Sequence, residues 1–330
     1  MKKFFVLLGI LLLTGGGFYI YKSQTGAVTK KQTAQQVYVI NPGGETYGIF
    51  LDNFIKTLKA SRPDGNVNIT YKDALGDKDK LDQYIDEAIA QNPAIITTIS
   101  SGPTFKITAK TKTIAVLTAL GDPVEHGYVK TLQGSGFNLA GISQQNIELT
   151  PKRIELLKKA IPSIKKIAIV YDTTCGPTKK ARPIANAQAP QLGVTLTEFP
   201  LTNPSKDDLQ NVLNKITKKE FDAILFYPHG SLFSKADLFL KRSLEEKLPM
   251  IMPDETAIKS GAFASYGPDY GEMGRSLARI ANKVLSGENP GVIPFEQPEK
   301  IEYIISVSNA KALGIPLNQE TLGAATKVIQ

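Results

Sequence analysis

Short apolar runs rich in β-branched residues recur along this chain, and nearly every one is followed by a stretch with helical periodicity. Val37–Ile40 precedes a helical pattern over Gly48–Leu58, where Ile49, Phe50, Phe54, Ile55 and Leu58 share a face. Val67–Tyr71 precedes Asp79–Ala90, with Leu81, Tyr84, Ile85, Ala88 and Ile89 in one stripe. Ile95–Ile99 and Thr113–Leu117 continue the series. The second half repeats it with Ile167–Tyr171, Val194–Phe199, Ala223–Tyr227, Met250–Met252 and Ala262–Ser265, separated by helices near 178–192, 206–217 and 235–247. Ser205-x-x-Asp208 and Ser234-x-x-Asp237 read as capping boxes for the last two.

Strands alternating with helices require a mainly parallel sheet covered on both faces, and uninterrupted apolar strands fit burial from both sides. Two successive sets of such units predict an α/β fold of two doubly wound parallel-sheet lobes with a ligand cleft between them. The cleft lies where the carboxyl ends of the strands face each other. The pattern breaks at Gln144-Gln145-Asn146, which places a lobe boundary near Ser143–Pro151. Halves of this size can each bury a core.

Ahead of the body, Met1-Lys2-Lys3 leads into Phe4 to Tyr21, a run without charge that ends at Lys22. A basic start before an apolar run is the pattern of an export segment. As a helix it would reach about 27 Å, close to a hydrocarbon core of about 30 Å. An uncleaved signal anchor is the first reading of residues 1–22, a signal peptide cut after Thr25-Gly26-Ala27 the second, and a buried hydrophobic helix the third. Residues 23–36 read as a polar tether, with the remainder outside the cytoplasm.

Charge points to no anionic polymer. Five of the eight net positive charges are lysines within residues 1–36, which leaves +3 for a body whose lysines are dispersed among acids. The single cysteine, Cys175, excludes an internal disulfide. No phosphate loop, dinucleotide fingerprint or nucleophile elbow occurs, and His126 and His229 stand alone, without metal-ligand spacing. The expectation is a protein without catalysis, cofactor or metal.

The strand ends offer binding groups instead. Asn41-Pro42-Gly43-Gly44-Glu45-Thr46-Tyr47 follows the first strand and Ser100-Ser101-Gly102-Pro103-Thr104 the third. The latter sets hydroxyls at a helix start, where free N–H groups and the dipole favour a carboxylate; the plainer reading is that Ser101 caps the helix. Gly121-Asp122-Pro123 is first a turn. Tyr171-Asp172-Thr173-Thr174, Tyr227, His229 and Pro253-Asp254-Glu255 hold the matching places in the second half. Rings and an acid opposite a carboxylate-binding helix start suit a zwitterion such as an amino acid.

Several segments carry a family resemblance. They are Gly121-Asp122-Pro123-Val124; Gly136-Phe137-Asn138-Leu139-Ala140-Gly141-Ile142-Ser143; Ile161-Pro162 before Ile167; Gly261-Ala262-Phe263-Ala264-Ser265-Tyr266-Gly267-Pro268-Asp269-Tyr270; and Asn309-Ala310-Lys311-Ala312-Leu313-Gly314-Ile315-Pro316. In this order and spacing the chain resembles the substrate-binding proteins of ABC transporters with the type I periplasmic-binding-protein fold. Some members of that branch bind aromatic amino acids.

The resemblance covers roughly 37–330. It implies a first lobe of 37–146 plus about 267–296, a second of 147–266 plus about 297–330, and a helix around Tyr270–Leu285 returning to the first lobe. It also implies closure over one small molecule, delivery to a membrane permease, and ligand contacts from Tyr47, Ser100, Ser101, Thr104, Asp122, Asp172, Thr173, Tyr227, His229 and Asp254. The partners expected are the ligand and an ABC permease, with no nucleic acid, the membrane through the N-terminal segment only, and the protein a monomer. Ser101-Gly102-Pro103-Thr104-Phe105 lacks the glutamine common in the family, and no lipid-anchor cysteine follows the apolar run. A ligand-sensing ectodomain shares these features, and a neighbouring kinase gene rather than a permease gene would favour it. Sugar-responsive repressors share the fold but require a DNA-binding helix-turn-helix where this chain has an apolar run.

Overall fold

The computed structural model describes residues 34–124, 127–174, 176–227 and 230–330. The leader, Cys175, His126 and His229 lie outside these. Among the described residues, no helix is long and apolar enough to cross a membrane.

The unit Gln35–Gln330 is built on a five-stranded sheet and on a second layer in which a three-stranded and a four-stranded sheet lie edge to edge. The first has the order β2-β1-β3-β4-β5, all parallel: β1 Gln35–Asn41, β2 Val67–Asp73, β3 Ile95–Thr97, β4 Ala115–Leu120 and β5 Leu139–Ser143. Its helices are α1 Glu45–Ala60, α2 Lys78–Gln91 and α3 Ser101–Lys110. Side chains alternate across each strand. Val37 and Val39 therefore pack with Phe50 and Phe54 of α1 on one face, while Tyr38 and Ile40 pack with Ile85 and Ile107 on the other. Strands β4 and β5 are buried throughout, whereas the edge strand β2 is half-exposed and carries Asn68, Thr70 and Lys72.

The second layer contains β7-β6-β8, parallel, with β6 Lys166–Asp172, β7 Thr195–Leu201 and β8 Ala223–Phe226. An Ile224 N–H bond to the Pro249 carbonyl (3.1 Å) joins it to the run β9-β10-β11-β12. These strands are β9 Ile251–Met252, β10 Ala264–Pro268, β11 Ile301–Ser306 and β12 Lys327–Ile329. Helices α4 Thr150–Ala160 and α5 Gly176–Gln188 pack on one face of this layer. On the other lie α6 Lys206–Leu213, α7 Gly230–Phe233, α8 Ala236–Glu246 and α9 Thr256–Lys259.

Three local readings are corrected. Helix α8 begins at Ala236 with Lys235 at its N-cap and no side-chain cap, so Ser234-x-x-Asp237 forms no box; Ser205 and Asp208 do. Ser101 is the first residue of α3 rather than its cap, and Ser100, at φ 80°, holds the cap position without a side-chain bond. Strands β5, β11 and β12 were not anticipated, and β10 pairs with β11 antiparallel.

The chain after β10 returns to the first sheet as α10 Tyr270–Leu285, whose Met273, Leu277 and Ile280 join the Phe50–Phe54 cluster. The crossing of α1 and α10 is so close that a Cβ on Gly274 would stand 2.1 Å from the Phe50 carbonyl oxygen. Gly274→Ala is therefore expected to destabilise the protein by about 2 kcal/mol despite alanine's better helix propensity. Urea unfolding checks this, and an unchanged midpoint would mean the helices part at no cost. After α10, the chain pairs Glu296 with the outer edge of β5 through Ser143 N–Glu296 O (2.8 Å) and Glu296 N–Gly141 O (3.0 Å). It then enters the second layer as β11, followed by α11 Val307–Leu313 and α12 Gln319–Ala324.

Candidate functional site between the lobes

The carboxyl ends of β1 and β9 meet through side chains. The turn after β1 is set by Asn41, which is buried. Its Oδ1 accepts from Gly43 N (2.9 Å), while its Nδ2 donates to Asp73 Oδ2 (3.0 Å) and the Tyr71 hydroxyl (3.1 Å). Gly43 sits at φ 120°, with room for no Cβ beside the Gly76 nitrogen. This turn starts α1 so that Thr46 faces the loop after β9. The Thr46 hydroxyl donates to Asp254 Oδ1 (2.9 Å) and lies 2.9 Å from Thr256 Oγ1. Thr256 supplies its backbone N–H to the same oxygen (3.0 Å) as well as its own hydroxyl. At the outer edge, Lys259 and Glu45 pair at 3.1 Å across the same gap.

Asp254 is almost fully buried. Burial raises its carboxyl pKa, against the pull of the Thr256 and Thr46 donors. Beside it, the Tyr47 ring on α1 meets the Phe233 ring on α7 at 6.0 Å and 43°. A cavity of about 140 Å³ lies here, lined by Gly43, Tyr47, Phe233, Leu240, Met252 and Asp254 among others. One wall comes from each lobe; the buried carboxylate of Asp254 and small hydroxyls interrupt the apolar lining, and the exposed Glu45 and Asp237 also border the cavity.

Behind Asp254 runs a second polar chain. The fully buried Arg153 of α4 donates at 2.8 Å to the Asn146 carbonyl, to Asn146 Oδ1 and to the Tyr266 carbonyl. Asn146 Nδ2 in turn donates to the Tyr270 hydroxyl (2.9 Å). Desolvation lowers the Arg153 guanidinium to about 10, so it stays charged at neutral pH. Burial, with Tyr47 and Asp254 close by, drives the Tyr270 phenol well up and keeps it neutral. Arg153 thus ties Asn146, in the segment that follows β5, to Tyr266 of β10, the strand from which the chain returns to the first sheet. A Cβ on Gly267 would stand 1.8 Å from the Pro253 carbonyl oxygen, so the residue before Asp254 is seated directly on this strand.

The other expected contact residues are distributed as follows. Asp172, at the end of β6, is buried and its Oδ1 accepts from Thr174 N (2.9 Å), the Thr174 hydroxyl (2.6 Å) and Asn203 N (3.1 Å). Thr173 is exposed, its hydroxyl 2.9 Å from that of Thr202. Lys235, lowered first by desolvation, feels Lys78 of the first lobe as well as Asp172 and Lys206. Asp122 is buried and accepts from Val124 N (3.1 Å), the turn its sequence suggested. Ser101 offers its carbonyl to the Tyr128 hydroxyl (2.7 Å), and the Ser100 carbonyl takes the Thr104 hydroxyl (2.7 Å). Thr104 has no exposure and also meets Thr118 Oγ1 (2.7 Å), so its hydroxyl serves the first lobe internally. Tyr227 packs into the second lobe's core beside Tyr171, where Arg182 lies 4.4 Å over the Tyr171 ring.

Of the ten, the structure brings Tyr47 and Asp254 to one inter-lobe cavity. Thr46 entered only as part of the Asn41–Tyr47 segment, and Thr256, Phe233, Asn146, Arg153 and Tyr270 escaped sequence reasoning. Only Arg153 left a signal there, a cation on the apolar stripe with Ile154 and Leu157. Among the described residues, no group of three or more His, Cys, Asp or Glu could hold a metal ion.

Residues 49–329 match the family of ABC transporter substrate binding proteins. The chain belongs to this family. A tyrosine-binding protein of Clostridioides difficile (strain R20291) is 29% identical over 267 residues, spanning 79% of this chain and 75% of that protein. Among solved structures, an ABC domain from Streptococcus pneumonia in complex with L-Trp aligns with TM-score 0.82 at 21% identity, covering 90% of this chain and 100% of its own. A conserved domain protein from Vibrio cholerae O1 biovar eltor str. N16961 aligns with TM-score 0.81 at 24% identity and the same coverage. This substrate-binding protein thus has the type I periplasmic-binding fold, with a parallel sheet in the first lobe and a mainly parallel arrangement, broken by the β10–β11 pair, in the second.

Proposed function

We propose that the protein is the extracytoplasmic component of an ABC importer, capturing an aromatic amino acid by lobe closure and delivering it to a membrane permease without chemical change. The observation that carries this reading is the inter-lobe cavity, where Tyr47 and Phe233 approach from opposite lobes beside the buried Asp254. Rings and aliphatic side chains around the buried Asp254, with the exposed acids Glu45 and Asp237 also bordering the cavity, suit an aromatic side chain and an ammonium group. The names of its relatives, a tyrosine-binding protein and an L-Trp complex, support the same class. Closure expels water, which strengthens the polar contacts and selects the liganded state.

The lobes in this reading are 37–146 with about 267–296, and 147–266 with about 297–330. The shared apolar clusters support that division: Tyr270–Ile293 residues pack with β1 and β5, and Tyr303–Ile315 residues pack with β6. Residues 1–22 hold the monomer at the membrane, and 23–36 form the tether. Ser100, Ser101, Asp122, Asp172 and Thr173 are the further ligand contacts in this reading.

The test is to denature the purified protein, identify released small molecules by mass spectrometry, and run thermal shifts with amino acids, nucleosides and sugars. L-tyrosine or L-tryptophan at a hundred times its Kd is expected to stabilise the protein by about 2.7 kcal/mol. A response to sugars alone would discard the amino-acid ligand, and silence across the screen would discard capture of a small solute.

A further inference from the structure

The chain enters the first sheet at Gln35, the amino end of β1, and Arg62 builds the face around that entry. Its Nε donates to Asn282 Oδ1 (2.8 Å), its Nη2 to the Asn282 carbonyl and the Ser286 hydroxyl (both 3.3 Å), and its Nη1 to Gln35 Oε1 (3.4 Å). Gln35 Nε2 reaches the Leu285 carbonyl (3.1 Å), and Asn282 Nδ2 the Ser61 hydroxyl (2.7 Å). These bonds lock the last turns of α1 and α10 side by side where residues 1–34 join the body.

Three lysines stand on this face. Lys56 and Lys59 of α1 and Lys283 of α10 are exposed, and none forms an ion pair among the described residues. The acids nearby are Asp64, Glu288 and, one turn back along α1, Asp52. The sequence leading in adds Lys22, Lys30 and Lys31 without an acid, so cations outnumber acids about the entry. Lysines at a helix end also answer the helix dipole. That accounts for Lys59 and Lys283 singly, but for neither Lys56 nor the acid-free lead.

The apolar run Phe4 to Tyr21 decides what such a face meets. Residues 23–34 span at most about 40 Å when extended, and as a flexible coil average about 20 Å, so an anchored protein keeps this face near the bilayer. The field of a charged membrane fades within a Debye length of about 8 Å. The tether alone leaves the face outside that field, and contact depends on the charge of the face itself. Tethering at such lengths supplies effective concentrations in the millimolar range, so weak contacts suffice. Each lysine brought to an anionic surface contributes about fivefold.

We propose that this face of the first lobe docks on anionic lipid headgroups. The anchored protein then rests with the amino end of β1 toward the membrane, and the cleft, at the carboxyl ends of the strands, turned away from it. This pose rests on the reading of residues 1–22 as a membrane anchor.

The test is to reconstitute the full chain into phosphatidylcholine vesicles with and without phosphatidylglycerol, both carrying a headgroup spin label. A fluorophore is placed on Ala60→Cys, exposed at the end of α1, in a Cys175→Ser background. Quenching is expected with phosphatidylglycerol and should fade in high salt. Lys56→Gln, Lys59→Gln and Lys283→Gln together are expected to lower the ratio of docked to free protein about a hundredfold, with the Tm unchanged. The same fluorophore on Lys219→Cys, exposed ahead of β8 in the second lobe, is expected to stay unquenched. Quenching at Ala60→Cys that ignores phosphatidylglycerol, or survives in the triple variant, would overturn the proposal, because the tether would account for it. So would quenching at Lys219→Cys instead, or at neither position. Flotation separates this pose from the anchor. A chain that does not float with pure phosphatidylcholine vesicles would discard the anchor. The lipid contact would then stand only on flotation with phosphatidylglycerol that the triple variant abolishes, and would fall without it.

Discussion

Replacing Arg153 with methionine is expected to lower the free energy of unfolding by about 3–5 kcal/mol, with the denaturant slope unchanged. Methionine fills much of the space of the arginine stem, so the loss is electrostatic rather than steric. It strips donors from the Asn146 carbonyl, Asn146 Oδ1 and the Tyr266 carbonyl in one step. Buried acceptors left without donors are the costly half of a hydrogen bond. Exchanging a whole buried polar pair for apolar groups can be neutral, but here only one side is exchanged. Arg153→Lys keeps the charge yet concentrates its donors on one nitrogen, which cannot span acceptors on two segments as a planar guanidinium does. Lysine is therefore expected to recover only a small part of the loss. A methionine variant within 1 kcal/mol of the parent would show that the crossing segments hold without this clamp.

The central strands were legible because they are covered on both faces and so read as unbroken apolar runs, Val37–Ile40 and Ile167–Tyr171 being the clearest. Burial at every position from Val37 to Asn41 and from Ile167 to Asp172 is the physical counterpart of that pattern. The strands that escaped do not read as unbroken apolar runs in sequence, whatever their burial. Lys327–Ile329 is three residues long and largely exposed, and Leu139–Ser143 is interrupted by Gly141, where a Cβ would stand 2.0 Å from the Thr118 carbonyl oxygen. The antiparallel pairing of Ala264–Pro268 with Ile301–Ser306 joins segments far apart in the chain, and no local periodicity encodes its direction.

At the site, the rule that ligands gather at carboxyl strand ends located Asp254 and Tyr47. It says where a residue stands along a strand but not which way its side chain points. Thr104 and Tyr227 occupy the right ends, yet one hydroxyl is spent inside the first lobe and the other residue packs into the core of the second. Thr46 looks like any first-turn residue in sequence. Its role arises only because the second lobe brings Asp254 within 2.9 Å.

Asp254→Asn is expected to weaken binding of L-tyrosine or L-tryptophan about a hundredfold, ~3 kcal/mol, and to remove the coupling of binding to protons. The amide oxygen of asparagine can still accept from Thr46 and Thr256, so contact between the lobes survives while the charge is lost. With the lobes in contact, burial raises the Asp254 carboxyl above the ordinary carboxylate value of about 3.9. Closing without ligand therefore takes up a proton at pH values between that ordinary value and the raised one. The closed ligand-free form gains as pH falls through this window, holds the full gain below it, and loses the gain as pH rises through the raised value. An ammonium group at Asp254 acts in the opposite sense, because it favours the ionised carboxylate. Loading the closed form then releases the proton, and affinity should climb with pH through the raised value before levelling off. Calorimetry in two buffers of different ionisation enthalpy, at a pH inside the window, reads the released proton directly. Buffer-independent heats in the parent protein, or undiminished affinity in the asparagine variant, would remove Asp254 from the ammonium site.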